Sequence, residues 1–263
     1  MEKTPIIIFL YNRLFDPLIQ GNFWLYIRDY LDDPNAPVSL HVITYEDPRH
    51  PLTDAQKDLV DEWKKKGMTW TRLTWHPGTG LKQKLADMWS GFTTVLKLRT
   101  QGYKHIVTLG SVAGTFAYLY AAPLRMRLFL YQFEPHSEYA VDNGMWPEKS
   151  LQTRISRVLE RRAARFASVV ASGTRFMQER VKKIWNSPAE FVQIATVAND
   201  QKFVFDQELR KEVRADLGLS SDRSVLFYPG KFEGLYYGDE TAWMFAWLLQ
   251  ENPDLFFLIV TPH

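Results

Sequence analysis

Three short segments place polar groups where chemistry is commonly done. In YQFEPHSEY (131–139), Glu134, His136 and Glu138 crowd together beside aromatic residues. The segment ends an apolar run predicted as a strand over 124–133, and open α/β sheets bind ligands at the carboxyl ends of their strands. A histidine there can donate a hydrogen bond to substrate, with a neighbouring carboxylate orienting its ring. The bland alternative is a solvated loop with a structural histidine. In YPGKFEG (228–234), Lys231 follows a second strand-like run and sits beside Gly230, where backbone can approach a ligand. An ammonium group there is a point charge for phosphate, although most turn lysines serve only as solvated surface. Gly21 and Asn22 stand at the entry of a predicted helix, able to receive an anion or a sugar hydroxyl or simply to cap the helix.

Other chemistries find less support. Ser111 in LGSVAGT occupies a strand-to-helix turn, but Gly-x-Ser-x-Gly spacing is absent and no acid–base partners follow in order. Gly110 and Gly114 are better read as letting a helix start close to a sheet. The six histidines never take His-x-x-x-His spacing and there is no Asp-x-Asp pair, so no metal site is expected. A Gly-x-Gly-x-x-Gly fingerprint is missing after the first strand, which disfavours nicotinamide and flavin cofactors. Cysteine is absent, removing disulfides, thiolate metal sites and thiol nucleophiles. That composition suits a reducing cytosol. A formal net charge of +2 over 263 residues argues against a nucleic-acid partner for the whole molecule.

The elements that must position these residues alternate. Strands are predicted at 5–11, 38–44, 68–75, 105–109 and 124–133, with helical periodicity between them. Thr53 and Gln56 have capping-box spacing, and Gly67 closes the helix they open. In the helix from 81, Leu81, Leu85, Met88, Phe92, Val95 and Leu96 are expected to face inward. The helix 151–166 carries Arg154, Arg157, Arg161 and Arg165 on one side and Leu151, Ile155, Val158, Leu159 and Phe166 on the other. Such a helix can touch anionic lipid. Docking on a sheet requires the same apolar stripe, so that stripe is expected to be buried. A second cycle opens at 225 with VLFYP, a helix and LFFLIV. The pattern is α/β, with a Rossmann-like domain over 1–200 and the incomplete start of a second Rossmann-like domain over 201–263.

Read together, these segments resemble GT-B glycosyltransferases of family 4, also called group 1. RISRVLERRAARFASVVASGTRFMQERVKKIW resembles that family's helix, short strand, serine (Ser172) and helix near the end of the N-terminal domain. In TVANDQKFVFDQELRKEVRADLGLSSDRSVLFYPGKF, Asn199, Asp200 and Phe203 echo an Asn-Gly-Val-Asp…Phe pattern, and Gly230-Lys231 stands at a Gly-Arg position. DETAWMFAWLLQENPDLFFLIV is similar to the following helix and strand. The resemblance implies a transferase that moves a sugar from a nucleotide-diphosphate donor without an essential metal or other cofactor. The acceptor it implies is a glycan or lipid-linked, as in surface polysaccharide assembly. His136 would line the donor sugar, with Glu134 beside it, Gly230 and Lys231 would meet the donor diphosphate, and the Gly21–Asn22 loop would face the acceptor. The setting would be cytoplasmic, and the basic amphipathic make-up of the helix 151–166 itself allows peripheral contact with an anionic membrane at its inner face.

This chain departs from the family at several points. The first glycine-rich loop is reduced to Gly21, and Tyr236 and Tyr237 replace a second basic residue. The family's Glu-x₇-Glu segment would fall beyond His263, so the chain is expected to be cut within its donor domain, to bind donor weakly or not at all, and not to turn over. A nucleotide-sugar epimerase of the same architecture is one alternative. A non-catalytic half that partners a separate donor-domain chain is the other.

Overall fold

The structure, a computed structural model, describes residues 3–77, 80–197, 203–232 and 236–261. The linker residues Asn199 and Asp200 and the terminal His263 lie outside that set. By its internal packing the chain divides into two units, Met1–Val141 with Trp146–Asn199, and Asp142–Met145 with Asp200–His263.

Seven parallel strands build the first unit: β1 (Thr4–Phe9), β2 (Val38–Glu46), β3 (Thr69–Thr74), β4 (His105–Leu109), β5 (Arg127–Tyr131), β6 (Val169–Ser172) and β7 (Glu190–Gln193). Their order across the sheet is β3-β2-β1-β4-β5-β6-β7, with Ile8 of β1 opposite Val42 on one side and Val107 on the other. Strands in such a sheet must be apolar on both faces, and β1 shows why. Ile7 and Phe9 join one core with Ile43, Ile106 and Leu128, while Ile8 and Leu10 join another with Val42, Trp24 and Trp63. Helices α1 (Trp24–Asp32) and α2 (Asp54–Lys65) cover the second core. Helices α3 (Leu81–Thr100), α4 (Ser111–Ala121) and α6 (Leu151–Phe166) contribute to the first.

The local signals account for several boundaries. Thr53 accepts from the Gln56 amide and the Gln56 side chain accepts from the Thr53 amide, the reciprocal box expected from the spacing. Gly110 adopts φ +87, which turns β4 sharply into α4. A Cβ on Gly114 would sit 2.4 Å from Leu130 Cδ1, so its absence lets α4 lie against β5. The strand predicted over 124–133 is shorter, because 122–126 form the turn out of α4, with Arg125 at φ +50.

Two inward faces differ from expectation. On α3, Val95 is buried and Met88 and Phe92 pack against the first core as expected, whereas Leu85 and Leu96 are exposed and Asp87, Gly91 and Leu98 are buried. The inward face is shifted toward the Asp87–Gly91–Leu98 side, and the Leu81 side chain lies outside the described residues. On α6, the expected apolar stripe is exposed at Leu151, Ile155, Val158 and Phe166. Its buried face is Thr153, Glu160, Ala163 and Ala164. Small residues on both helices, Ala163 and Ala164 against the Ala113, Ala117 and Ala121 side of α4, allow this close packing. Between them comes the short helix α5 (His136–Asp142), where a loop was expected. Helix α7 (Arg175–Glu179) runs on into a π-helical turn, Arg180–Ile184.

The second unit contains α8 (Gln207–Asp216), capped by the Asp206 carboxylate, then β8 (Val225–Pro229), α9 (Gly238–Glu251) and β9 (Phe256–Val260). Strands β8 and β9 pair in parallel, and Phe245 of α9 stacks on Phe257 with ring centroids 4.2 Å apart.

Two substitutions test these packing arguments. Gly114→Val should destabilise the protein by about 2 kcal/mol through overpacking against Leu130. An unchanged melting temperature would show that α4 does not lie where described. Thr53→Ala should cost about 1 kcal/mol by removing the α2 cap, and Thr53→Ser, which keeps the acceptor, should cost little in the same melting assay.

Candidate functional site

The strand order reverses between β1 and β4, and the loops leaving those strands therefore diverge to opposite faces. Such switch points are where open α/β sheets bind ligands. Here the crevice is a cavity of ≈ 730 Å³. Tyr11 and Asn12 from the β1 loop, Gly110 and Ser111 after β4, and Phe133, Glu134 and His136 after β5 line it. Trp75 and Lys84 close one side, and Trp146 with Gln152, Ser156, Leu159 and Glu160 of α6 close the other. Its walls are mainly apolar and aromatic, with a few polar groups at defined places, the usual make-up of a small-molecule site.

His136 is the first residue of α5. Its ring lies 5.2 Å from Trp146, edge-on, and 6.2 Å from Tyr139, stacked. Burial lowers its pKa, which favours the neutral ring at neutral pH. Aromatic rings hold this imidazole, and no carboxylate contacts it among the described residues. Glu138, the nearer candidate in sequence, is drawn away by Arg180 at 2.5 Å. The carboxylate that serves this loop comes from α6: Glu160 accepts from the Ser137 amide at 2.9 Å and from the Ser137 hydroxyl. Burial raises the pKa of Glu160 and also that of Glu134. Ser111 donates its hydroxyl to the Glu134 carbonyl at 2.5 Å, fixing the β5 loop.

Sequence reasoning missed the opposite wall. Asp87 is fully buried on α3 and gathers three partners: the Tyr11 hydroxyl at 2.5 Å, His76 Nδ1 at 2.6 Å and Lys84 Nζ at 3.7 Å. Lys84 also donates to the Tyr11 oxygen at 2.9 Å, and the Tyr45 hydroxyl donates to the Asp87 carbonyl at 2.7 Å. Burial, reinforced by Asp87, pushes the Tyr11 phenol far above its ordinary pKa, so it remains a hydrogen-bond donor. Lys84 Nζ lies over the rings of Tyr11 and Trp75 at 5.2 and 5.4 Å. The one sequence signal available was an aspartate within the apolar rhythm of a helix, in register with Gly91 and Val95.

The Gly21 loop is not the helix start that the sequence suggested. Helical structure begins at Pro17, with the Leu18 amide bound to Asp16 Oδ1 at 2.9 Å, and Gly21 falls inside the π-helical turn Ile19–Phe23. Proline at the first helical position and aspartate before it set that boundary. A carboxylate already occupies the helix end, and the Asn22 side chain lies outside the described residues. Gly21 does not line the cavity, whereas Asn12 and Leu18 do.

In the second unit, Gly230 and Lys231 lie just past β8, at its carboxyl end as expected. The Gly230 amide donates to the Val260 carbonyl at 2.9 Å, and Lys231 is exposed with its Nζ 5.9 Å from the Tyr236 ring. Another cavity, about 550 Å³, opens near Lys3 and Lys66 at the amino ends of β1 and β2. That is the wrong edge for a ligand in this architecture, and Lys66 is already paired with Asp32 and Glu62. Among the described residues, no group of three or more histidine, aspartate and glutamate side chains is arranged to hold a metal ion.

No family model matches the chain, and no curated protein matches it. Solved structures do. Sucrose-phosphate synthase from Thermosynechococcus elongatus aligns with TM-score 0.57 at 14% identity, over 97% of this chain and 70% of that one. UGT2 of Phytolacca americana, complexed with UDP-2fluoro-glucose and pterostilbene, aligns with TM-score 0.59 at 13% identity, over 100% and 72%. HepE from Anabaena in complex with UDP aligns with TM-score 0.55 at 17% identity, over 98% and 69%. The fold of this chain is therefore that of the Rossmann-like domains of GT-B glycosyltransferases.

Proposed function

We propose that this protein is a glycosyltransferase of the family 4 type, taking a sugar from a nucleotide-diphosphate donor to a glycan or lipid-linked acceptor. The observation that carries the reading is the ≈ 730 Å³ cavity at the β1/β4 switch point of a GT-B-type unit. The similar structures include HepE complexed with UDP-glucose, which supports a nucleotide-sugar donor. In this reading the acceptor enters the cavity between the Tyr11–Lys84 wall and the His136–Trp146 wall. Tyr11, whose hydroxyl donates to Asp87 and accepts from Lys84, keeps one lone pair that can accept a hydrogen bond from an acceptor hydroxyl and so position it.

The anomeric carbon–oxygen bond to the diphosphate breaks as the acceptor oxygen bonds to that carbon, and the acceptor's proton passes to the departing diphosphate oxygen. The departing diphosphate keeps the electron pair, and Lys231 beside Gly230 is the residue assigned to meet its charge. His136 is assigned to the donor sugar, with Glu134 next to it in the same loop. No metal or other cofactor enters the scheme, in keeping with a sequence that lacks Asp-x-Asp. The setting proposed is surface polysaccharide assembly on the cytoplasmic side.

Saturation-transfer NMR suits a weak donor. Nucleotide-diphosphate sugars should receive saturation from the protein, and Lys231→Ala should reduce it severalfold. Tyr11→Phe should leave the donor signal in place and reduce that of a bound acceptor or acceptor fragment, because it deletes only the hydroxyl. If no nucleotide-diphosphate sugar receives saturation at millimolar concentration, the donor assignment fails. If Tyr11→Phe and Lys84→Ala leave acceptor binding unchanged, the cavity is not the acceptor site.

A further inference from the structure

Helix α6 carries its aliphatic residues on the outside. Leu151, Ile155 and Val158 are 72%, 48% and 49% exposed, and their spacing places them in one line along the helix. Scattered exposed aliphatics are ordinary, but these share their face with Arg154, Arg161, Arg162 and Arg165, all exposed. At about 100° per residue, the four arginines fall within roughly 80° of Leu151. None of the four has an ion-pair partner among the described residues, whereas Arg157 is held by Glu148 at 2.7 Å. The helix's one carboxylate, Glu160, is on the buried face and bound to Ser137. The outward face is thus aliphatic and cationic, with no acidic residue of its own.

We propose that this face lies on the surface of a bilayer containing anionic lipid. Leucine, isoleucine and valine side chains reach to the boundary between headgroups and acyl chains, while the arginines extend from the same face to lipid phosphates. The chemistry selects this occupant over others. A second copy docked face to face would set four arginines against four. A nucleic acid would leave the three aliphatic side chains against phosphates. The contact is a surface one, since no helix among the described residues is long and apolar enough to cross a membrane. The opposite side of α6 contributes Gln152, Ser156 and Glu160 to the cavity, so one helix joins the bilayer surface to the cavity wall. The inference does not depend on the transferase reading and is tested without any sugar substrate.

The test is co-sedimentation of the full chain with vesicles of phosphatidylcholine alone and of phosphatidylcholine mixed with phosphatidylglycerol. The protein should bind the anionic vesicles, and binding should fall as salt is raised toward about 0.5 M, where screening is nearly complete. Ile155→Asp/Val158→Asp and Arg161→Gln/Arg162→Gln should each weaken partitioning roughly tenfold. Both variants change exposed residues and should melt at the temperature of the unmodified protein. Absence of binding to phosphatidylglycerol vesicles overturns the proposal, as does undiminished binding by either folded variant. A concentration-dependent dimer in sedimentation that Ile155→Asp/Val158→Asp abolishes would overturn it too, by assigning the face to contact between copies.

Discussion

Everything in the first unit follows from covering both faces of β1. Its alternate side chains, Ile7 and Phe9 against Ile8 and Leu10, enter two separate cores. A parallel strand buried in this way requires crossover helices on both sides of the sheet, and right-handed crossovers require the chain to change face once. That change occurs when the chain leaves β3 and returns at β4 beside β1. The crevice above β1 and β4 is therefore a consequence of covering the sheet, and the residues lining it are those that the two divergent loops leave there.

Within this apolar frame, buried polar groups are held by specific partners. Asp87 is enclosed in α3, and Tyr11, His76 and Lys84 converge on its carboxylate. A buried carboxylate without partners would be strongly unfavourable, so their positions are coupled. The same logic applies across the cavity, where Glu160 of α6 binds Ser137 and ties down the loop that presents His136. Each wall has a carboxylate from a helix holding a loop from the sheet edge, which gives a preorganised site.

Helix α6 illustrates how close packing redistributes surface. Ala163 and Ala164 let it approach the alanine side of α4, and the polar Thr153 and Glu160 are satisfied by the Pro147 carbonyl and Ser137. With small residues occupying the buried face, the larger aliphatics have no place inside. They face outward among arginines. A helix can thus be amphipathic by composition and yet orient its apolar stripe away from the protein core.

The sequence alone determined the alternation of strands and helices, because continuous apolar runs and capping signals are local. Thr53–Gln56, Gly67, Gly110 and the run VLFYP each mark boundaries within a few residues of themselves. It also placed His136 and Lys231 at carboxyl ends of strands, since that position follows from strand order along the chain. Tertiary structure decided which face of each helix is buried. Periodicity finds a stripe but does not say whether Leu85 or Asp87, Ile155 or Ala163, meets the sheet. It also decided the site's composition: Tyr11, His76, Lys84 and Asp87 are up to 76 positions apart along the chain and meet only when β1, β3 and α3 are assembled. Glu160 reaches Ser137 of the His136 loop from α6 for the same reason. A local pattern reports hydrogen bonds and side chains within a few residues, whereas a site at a switch point is made by strands and helices that packing alone brings together.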